Sequence, residues 1–109
     1  MTYQHRDLAA GRWQTLPLME QLANVGSDVR RAARWHGKDS VRCEQAFLRA
    51  LELLDLTISD PRWTGRRKEL TRTRELLCDA MLGGQTYGSD FTALDRYFFP
   101  YAVAARTGR

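Results

Sequence analysis

The residues with the clearest chemical capacity are a run of cations between Arg62 and Arg74. Arg62, Arg66, Arg67, Lys68, Arg72 and Arg74 crowd the opening of what reads as a third helix, answered there by Glu69 and Glu75. The positive end of a helix dipole disfavours cations by a few tenths of a kcal/mol each, so local electrostatics here runs against stability. An anionic partner would relieve that strain. So would carboxylates elsewhere in the fold, such as Asp55, Asp60 or Glu52 near the end of the preceding helix.

The first alternative is phosphate chemistry. Of the 17 basic residues all but Lys38 and Lys68 are arginine, whose planar, permanently charged fork suits phosphate and carboxylate oxygens. A GC-rich genome produces the same bias without any function behind it. Contacts from Arg62, Arg66, Arg67, Lys68 and Arg72 to the backbone of RNA or DNA, joined by Arg30, Arg31 and Arg34, would be largely independent of sequence. They would weaken steeply with salt, because each neutralised phosphate releases counterions. Trp63 and Tyr87 would stack on bases in that reading, and serve as packing anchors in the other. Arg74 lies about 40° from Leu70 on the helical wheel, close to the core face, and is expected to form a buried pair or an interface contact.

Other chemistry was sought along the chain. An enzyme needs a nucleophile with a base, convergent carboxylates, metal-ligand spacing or a glycine loop that cradles phosphate. Gly83-Gly84 and Gly88 do not lie between a strand and a helix. His5 and His36 are the two histidines, and Cys43 and Cys78 each sit in a helical pattern near the apolar face, where a thiol behaves as a small hydrophobe. The expectation is a non-enzymatic protein with no catalytic residue, no metal and no cofactor.

Composition sets the frame for positioning those groups. At 109 residues with 43% hydrophobic and 28% charged residues, the chain reads as one globular domain spanning 1–109, with residues 1–14 as a docked, irregular arm. The formal charge is +4. Apolar runs are only a few residues long, so neither a membrane span nor a secretory signal is expected, and the cytoplasm is the default location.

The element around which the rest folds is the stretch from Ala46 to Ile58. Cys43, Phe47, Ala50, Leu54 and Ile58 recur at i, i+4, i+7, i+11 and i+15, widened by Ala46, Leu53 and Thr57, as one face of a helix requires. Val41, Leu48 and Leu56 fall outside that stripe, and a helix apolar on more than one side has neighbours on more than one side. Those three residues and Arg74 are therefore the expected interface of a homo-oligomer or adaptor.

Before it, Thr15 is expected to cap a first helix with Pro17 in its first turn. Leu18, Leu22, Val25, Val29, Ala32 and Ala33 form its core stripe, with Glu20, Asn24, Asp28 and Arg31 opposite. Gly26 is small enough for a neighbour to approach. Arg30, Arg31 and Arg34 followed by Gly37 also make an ordinary C-terminal turn. Asp39 or Ser40 caps helix two, which Asp60-Pro61 stops. Helix three runs from about Thr64 to Leu82 with Leu70, Thr73, Leu77, Ala80 and Met81 inward. Ser89 or Asp90 caps helix four, whose Phe91, Leu94, Tyr97, Phe98, Tyr101, Ala102 and Ala105 face inward, with a kink or fresh start at Pro100. The fold class is all-α, an antiparallel four-helix bundle with an irregular N-terminal arm and a kinked last helix.

The segments His5-Arg6-Asp7-Leu8, Gly11-Arg12-Trp13, Glu20-Gln21-Leu22-Ala23-Asn24, Ala50 to Ile58 and Tyr97-Phe98 together resemble a small group of uncharacterised prokaryotic proteins, over nearly the whole chain. That resemblance brings no activity with it. More distantly, the size, the basic charge and Arg6-Asp7-Leu8 followed by Trp13-Gln14 resemble the four-helix-bundle proteins encoded in intervening sequences of bacterial 23S ribosomal RNA genes. Those are similar to the accessory proteins of diversity-generating retroelements, which assemble as basic rings and bind a reverse transcriptase and nucleic acid. The resemblance implies an oligomer with an RNA, DNA or protein partner. No functional residue carries over from either group.

Overall fold

A computed structural model describes residues 11–107. The expected arm lies outside the described residues as far as position 10. Within them the elements are all helical: α1 (Leu18–Trp35), α2 (Ser40–Ile58), α3 (Arg67–Met81) and α4 (Phe91–Thr107), with 3-10 turns at Trp13–Thr15 and Pro61–Arg66. No strand occurs among the described residues.

The start of α1 differs from expectation. Thr15 Oγ1 donates to the Arg12 carbonyl at 2.6 Å and closes the 3-10 turn instead of capping the helix. Leu16 is extended, as a residue before proline tends to be, so α1 begins only after Pro17. At its other end the Lys38 and Asp39 amides both donate to the Trp35 carbonyl at 2.9 Å, across Gly37. Asp39 then caps α2 by accepting the Arg42 amide at 3.1 Å.

α2 lies against α1 on one side and against α3 with its 3-10 lead-in on another, while α4 packs on α1 and α3. Cys43, Ala46, Ala50, Leu53, Leu54 and Thr57 are buried on α2, with Phe47 and Ile58 half-buried against them. Leu56 corrects the expected interface, because it is buried in the core. The second set of neighbours covers the C-terminal end of α2, whereas Val41 and Leu48 nearer its beginning stay exposed.

Helix three also starts later than expected. Asp60 accepts the Arg62 amide at 3.0 Å, and the chain turns as a 3-10 helix through Arg66 before α3 begins. Gly83 and Gly84 end α3 with positive φ, and the Gly84 amide returns to the Asp79 carbonyl at 2.8 Å. Asp90 caps α4 by accepting the Ala93 amide at 2.7 Å. Phe91, Leu94 and Phe98 are buried, and α4 continues through Pro100 without a fresh start. At Gly26 the α1 backbone and Phe98 are so close that a Cβ would sit 2.6 Å from Phe98 Cβ.

A polar network is sealed inside this core. Trp13 donates its indole N–H to Thr57 Oγ1 at 3.0 Å, and Thr57 donates to the Leu53 carbonyl at 2.9 Å. Gln21, fully buried, donates from Nε2 to the Trp13 carbonyl at 2.8 Å and to Asp60 at 3.2 Å. Its Oε1 accepts the Trp63 indole N–H at 2.7 Å. Burying such groups costs free energy unless each finds a partner, and these do.

Candidate anion-binding surface

Most of the cations at the head of α3 already have carboxylate partners. Arg62 grips the buried Asp60 carboxylate at 2.8 Å and donates to the Leu16 carbonyl at 2.7 Å, with its guanidinium 4.5 Å over the Trp63 ring. Arg74 reaches Asp55 at 2.6 Å, one turn from the end of α2, so it ties α3 to α2 within the chain. This is the paired role expected of it, at the surface and not in the core: both side chains are more than a third exposed. Arg66 pairs with Glu69 at 3.0 Å, and Arg72 with Glu75 at 3.4 Å while lying 4.3 Å over the Tyr87 ring.

Two cations stand apart. Arg67 is exposed and reaches only the Ile58 carbonyl, at 3.4 Å, and Lys68 is exposed with no ion pair among the described residues. With Arg66 and Arg72 they line an open concavity of about 850 Å³ on the outer side of α3. Four cations there face two carboxylates, Glu69 and Glu75, which leaves a local surplus of two positive charges.

The carboxylates are tuned by these contacts. The hydrogen bond from Arg66 holds Glu69 below the ordinary carboxylate range against the opposing effect of burial, helped by the Tyr97 hydroxyl at 3.0 Å. Burial pushes the Tyr97 phenol well above its ordinary value. The hydrogen bond from Arg62 lowers Asp60 in the same way. Asp79 follows a different route: burial works to raise it, but amide donors from Thr86, Tyr87 and Ser89 and the Ser89 hydroxyl outweigh that and bring it below the usual range. Those bonds fold the loop that carries Tyr87, 46% exposed, to the edge of the concavity.

Arg30, Arg31 and Arg34 are not part of this surface. They precede the turn into α2, where Arg42 stacks 4.7 Å over Trp35, while Arg67 touches the last residue of α2. α2 has 19 residues, which separates the two groups by about 28 Å at 1.5 Å per residue. Arg31 is paired with Asp28 at 3.0 Å, and Arg30 and Arg34 are exposed. Trp63 is half-buried with its N–H on Gln21, which makes it a packing anchor.

Sequence reasoning missed the buried polar residues. Asp28, placed on the outer face by expectation, is 3% exposed. The signal was available: Leu18, Gln21, Leu22, Val25, Asp28, Val29 and Ala32 repeat at three- and four-residue steps, so Gln21 and Asp28 occupy core positions on α1. Cys43 and Cys78 are free thiols, both pushed upward chiefly by burial.

Among the described residues no group of three or more His, Cys, Asp or Glu gathers in a metal-holding arrangement, and no helix is long and apolar enough to cross a membrane. Comparison of the chain with protein-family models, curated proteins and solved structures finds no match. The functional reading therefore rests on the residues themselves.

Proposed function

We propose that this protein is a non-enzymatic bundle of antiparallel helices, bent at Pro100, that binds the phosphate backbone of RNA or DNA through Arg66, Arg67, Lys68 and Arg72. The observation that carries the reading is the surplus of Arg67 and Lys68 on the outer side of α3 after the neighbouring arginines have been matched to carboxylates. Arg62 is spoken for by Asp60 and Leu16 and supports the surface from behind. Binding of this kind reads charge and not sequence. The test is the affinity for a single-stranded oligonucleotide over a salt series. Log affinity falls linearly with log salt, and Arg67→Ala with Lys68→Ala lowers the slope by about 2, one for each lost phosphate contact. An unchanged slope, or no binding at low salt, would sink the proposal.

A second reading, a cytoplasmic self-associating subunit or adaptor, is favoured by apolar side chains left in water. Val41 is 62% and Phe99 54% exposed. Sedimentation of the protein over a range of concentrations tests it.

A further inference from the structure

α1 and α4 meet along a shallow groove on a face that the α3 surface does not use. Gly26 and Phe98 form part of its floor, where the missing side chain of the glycine lets the two helices close up. Two adjoining recesses of about 130 and 280 Å³ make up the groove, and Phe99 borders both. Val103, one turn beyond Phe99, is also exposed.

The charges around this groove form a definite pattern. Arg30 borders both recesses, Asp95 only the first, and Glu20 and Arg106 only the second. Ten residues separate Glu20 from Arg30 along α1, about 15 Å, and eleven separate Asp95 from Arg106 along α4, about 16 Å. The four charges thus stand at the corners of a rough rectangle. Along every edge the neighbours are of opposite sign, and like signs lie on the diagonals.

Such a rectangle is complementary to itself. A two-fold axis lying in the face and running across the groove brings Arg30 opposite Glu20 of a second molecule and Asp95 opposite Arg106. An axis running along the groove brings Arg30 opposite Asp95 and Glu20 opposite Arg106. Either operation sets all four corners against opposite charges, which is the requirement of an isologous contact.

We infer that the α1–α4 groove is a dimer interface whose occupant is a second copy of this chain. Phe99 and Val103 of each copy leave water against the small-residue floor at Ala23 and Ala102 of the other. The inference rests on the self-association reading and is independent of phosphate binding by α3.

Sedimentation velocity of the full chain across the micromolar range tests it, with circular dichroism confirming that each variant is folded. The wild type forms a concentration-dependent dimer. Phe99→Asp weakens it by about tenfold or more, as expected of a central interface residue. Arg30→Glu also weakens it, and one of two second substitutions restores it: Glu20→Arg if the axis crosses the groove, Asp95→Arg if it follows the groove. A wild type that stays monomeric overturns both the interface and self-association. A dimer indifferent to Phe99→Asp and Arg30→Glu overturns this interface alone and leaves self-association to another face, such as Val41 and Leu48. Restoration by neither second substitution overturns the charge pairing.

Discussion

Trp63 donates its indole N–H to Oε1 of Gln21 at 2.7 Å, joining the 3-10 turn ahead of α3 to the first helix across 42 residues of sequence. The amide has one consistent orientation. Turned over, it would aim two donors at one another, Nε2 at the indole N–H, and would leave the Trp13 carbonyl and the Asp60 carboxylate facing an oxygen. One side chain thereby holds the N-terminal turn, α1 and the α2–α3 connection in register.

Gln21→Leu keeps the volume and removes every one of those bonds. Each buried group left without a partner costs about 1–3 kcal/mol, so the variant is expected to lose about 3 kcal/mol or more in urea unfolding. A change below about 0.5 kcal/mol, the range of ordinary surface substitutions, would show that the network adds nothing.

Stability should fall on the acid side. Asp60, Glu69 and Asp79 all lie below their ordinary values in the folded protein. A carboxylate with a depressed folded pKa stabilises fully above its unfolded value of about 4, and that contribution disappears as pH falls through the folded value. Unfolding midpoints are therefore flat near neutrality and drop below about pH 4. Asp60→Asn is expected to lower stability at neutral pH and flatten the acid slope. Tyr97 works in the opposite direction: its raised phenol favours the folded state until the alkaline range, so its ionisation lags the other tyrosines in an alkaline absorbance titration.

Gly26→Ala and Gly65→Ala make an informative pair. Alanine is the better helix former by about 1 kcal/mol, which by itself predicts stabilisation at Gly26. A Cβ there would lie 2.6 Å from Phe98 Cβ, so α1 and α4 must move apart. Overpacking of this kind costs about 1–3 kcal/mol, and the balance should be a lower melting temperature. At Gly65 nothing lies within 4 Å and φ is not positive, so the same substitution is expected to be neutral or mildly stabilising. Stabilisation at Gly26 would contradict the close approach of the two helices.

Much of the architecture was legible because it depends on local rules. The stripe of α2, the Asp39 cap, the Asp60-Pro61 stop, the paired glycines after α3 and the Asp90 cap each act within a few residues. The misses came from partners distant in sequence. Gln21 and Asp28 look like surface residues by type, and only Trp63, Asp60 and Arg31 account for their burial. Leu56 was read as surplus because covering it depends on what packs beside the end of α2. The arginine run was visible at once, but its pairing needed the placement of Asp55 and Asp60 relative to α3.

The two arginine groups at opposite ends of α2 give the molecule a built-in ruler. Duplex nucleic acid rises 3.4 Å per base pair, so about eight base pairs would be needed to reach from Arg34 to Arg67 across 28 Å. An oligomer shorter than that engages one end only, and affinity as a function of length should step upward once the second end comes within reach.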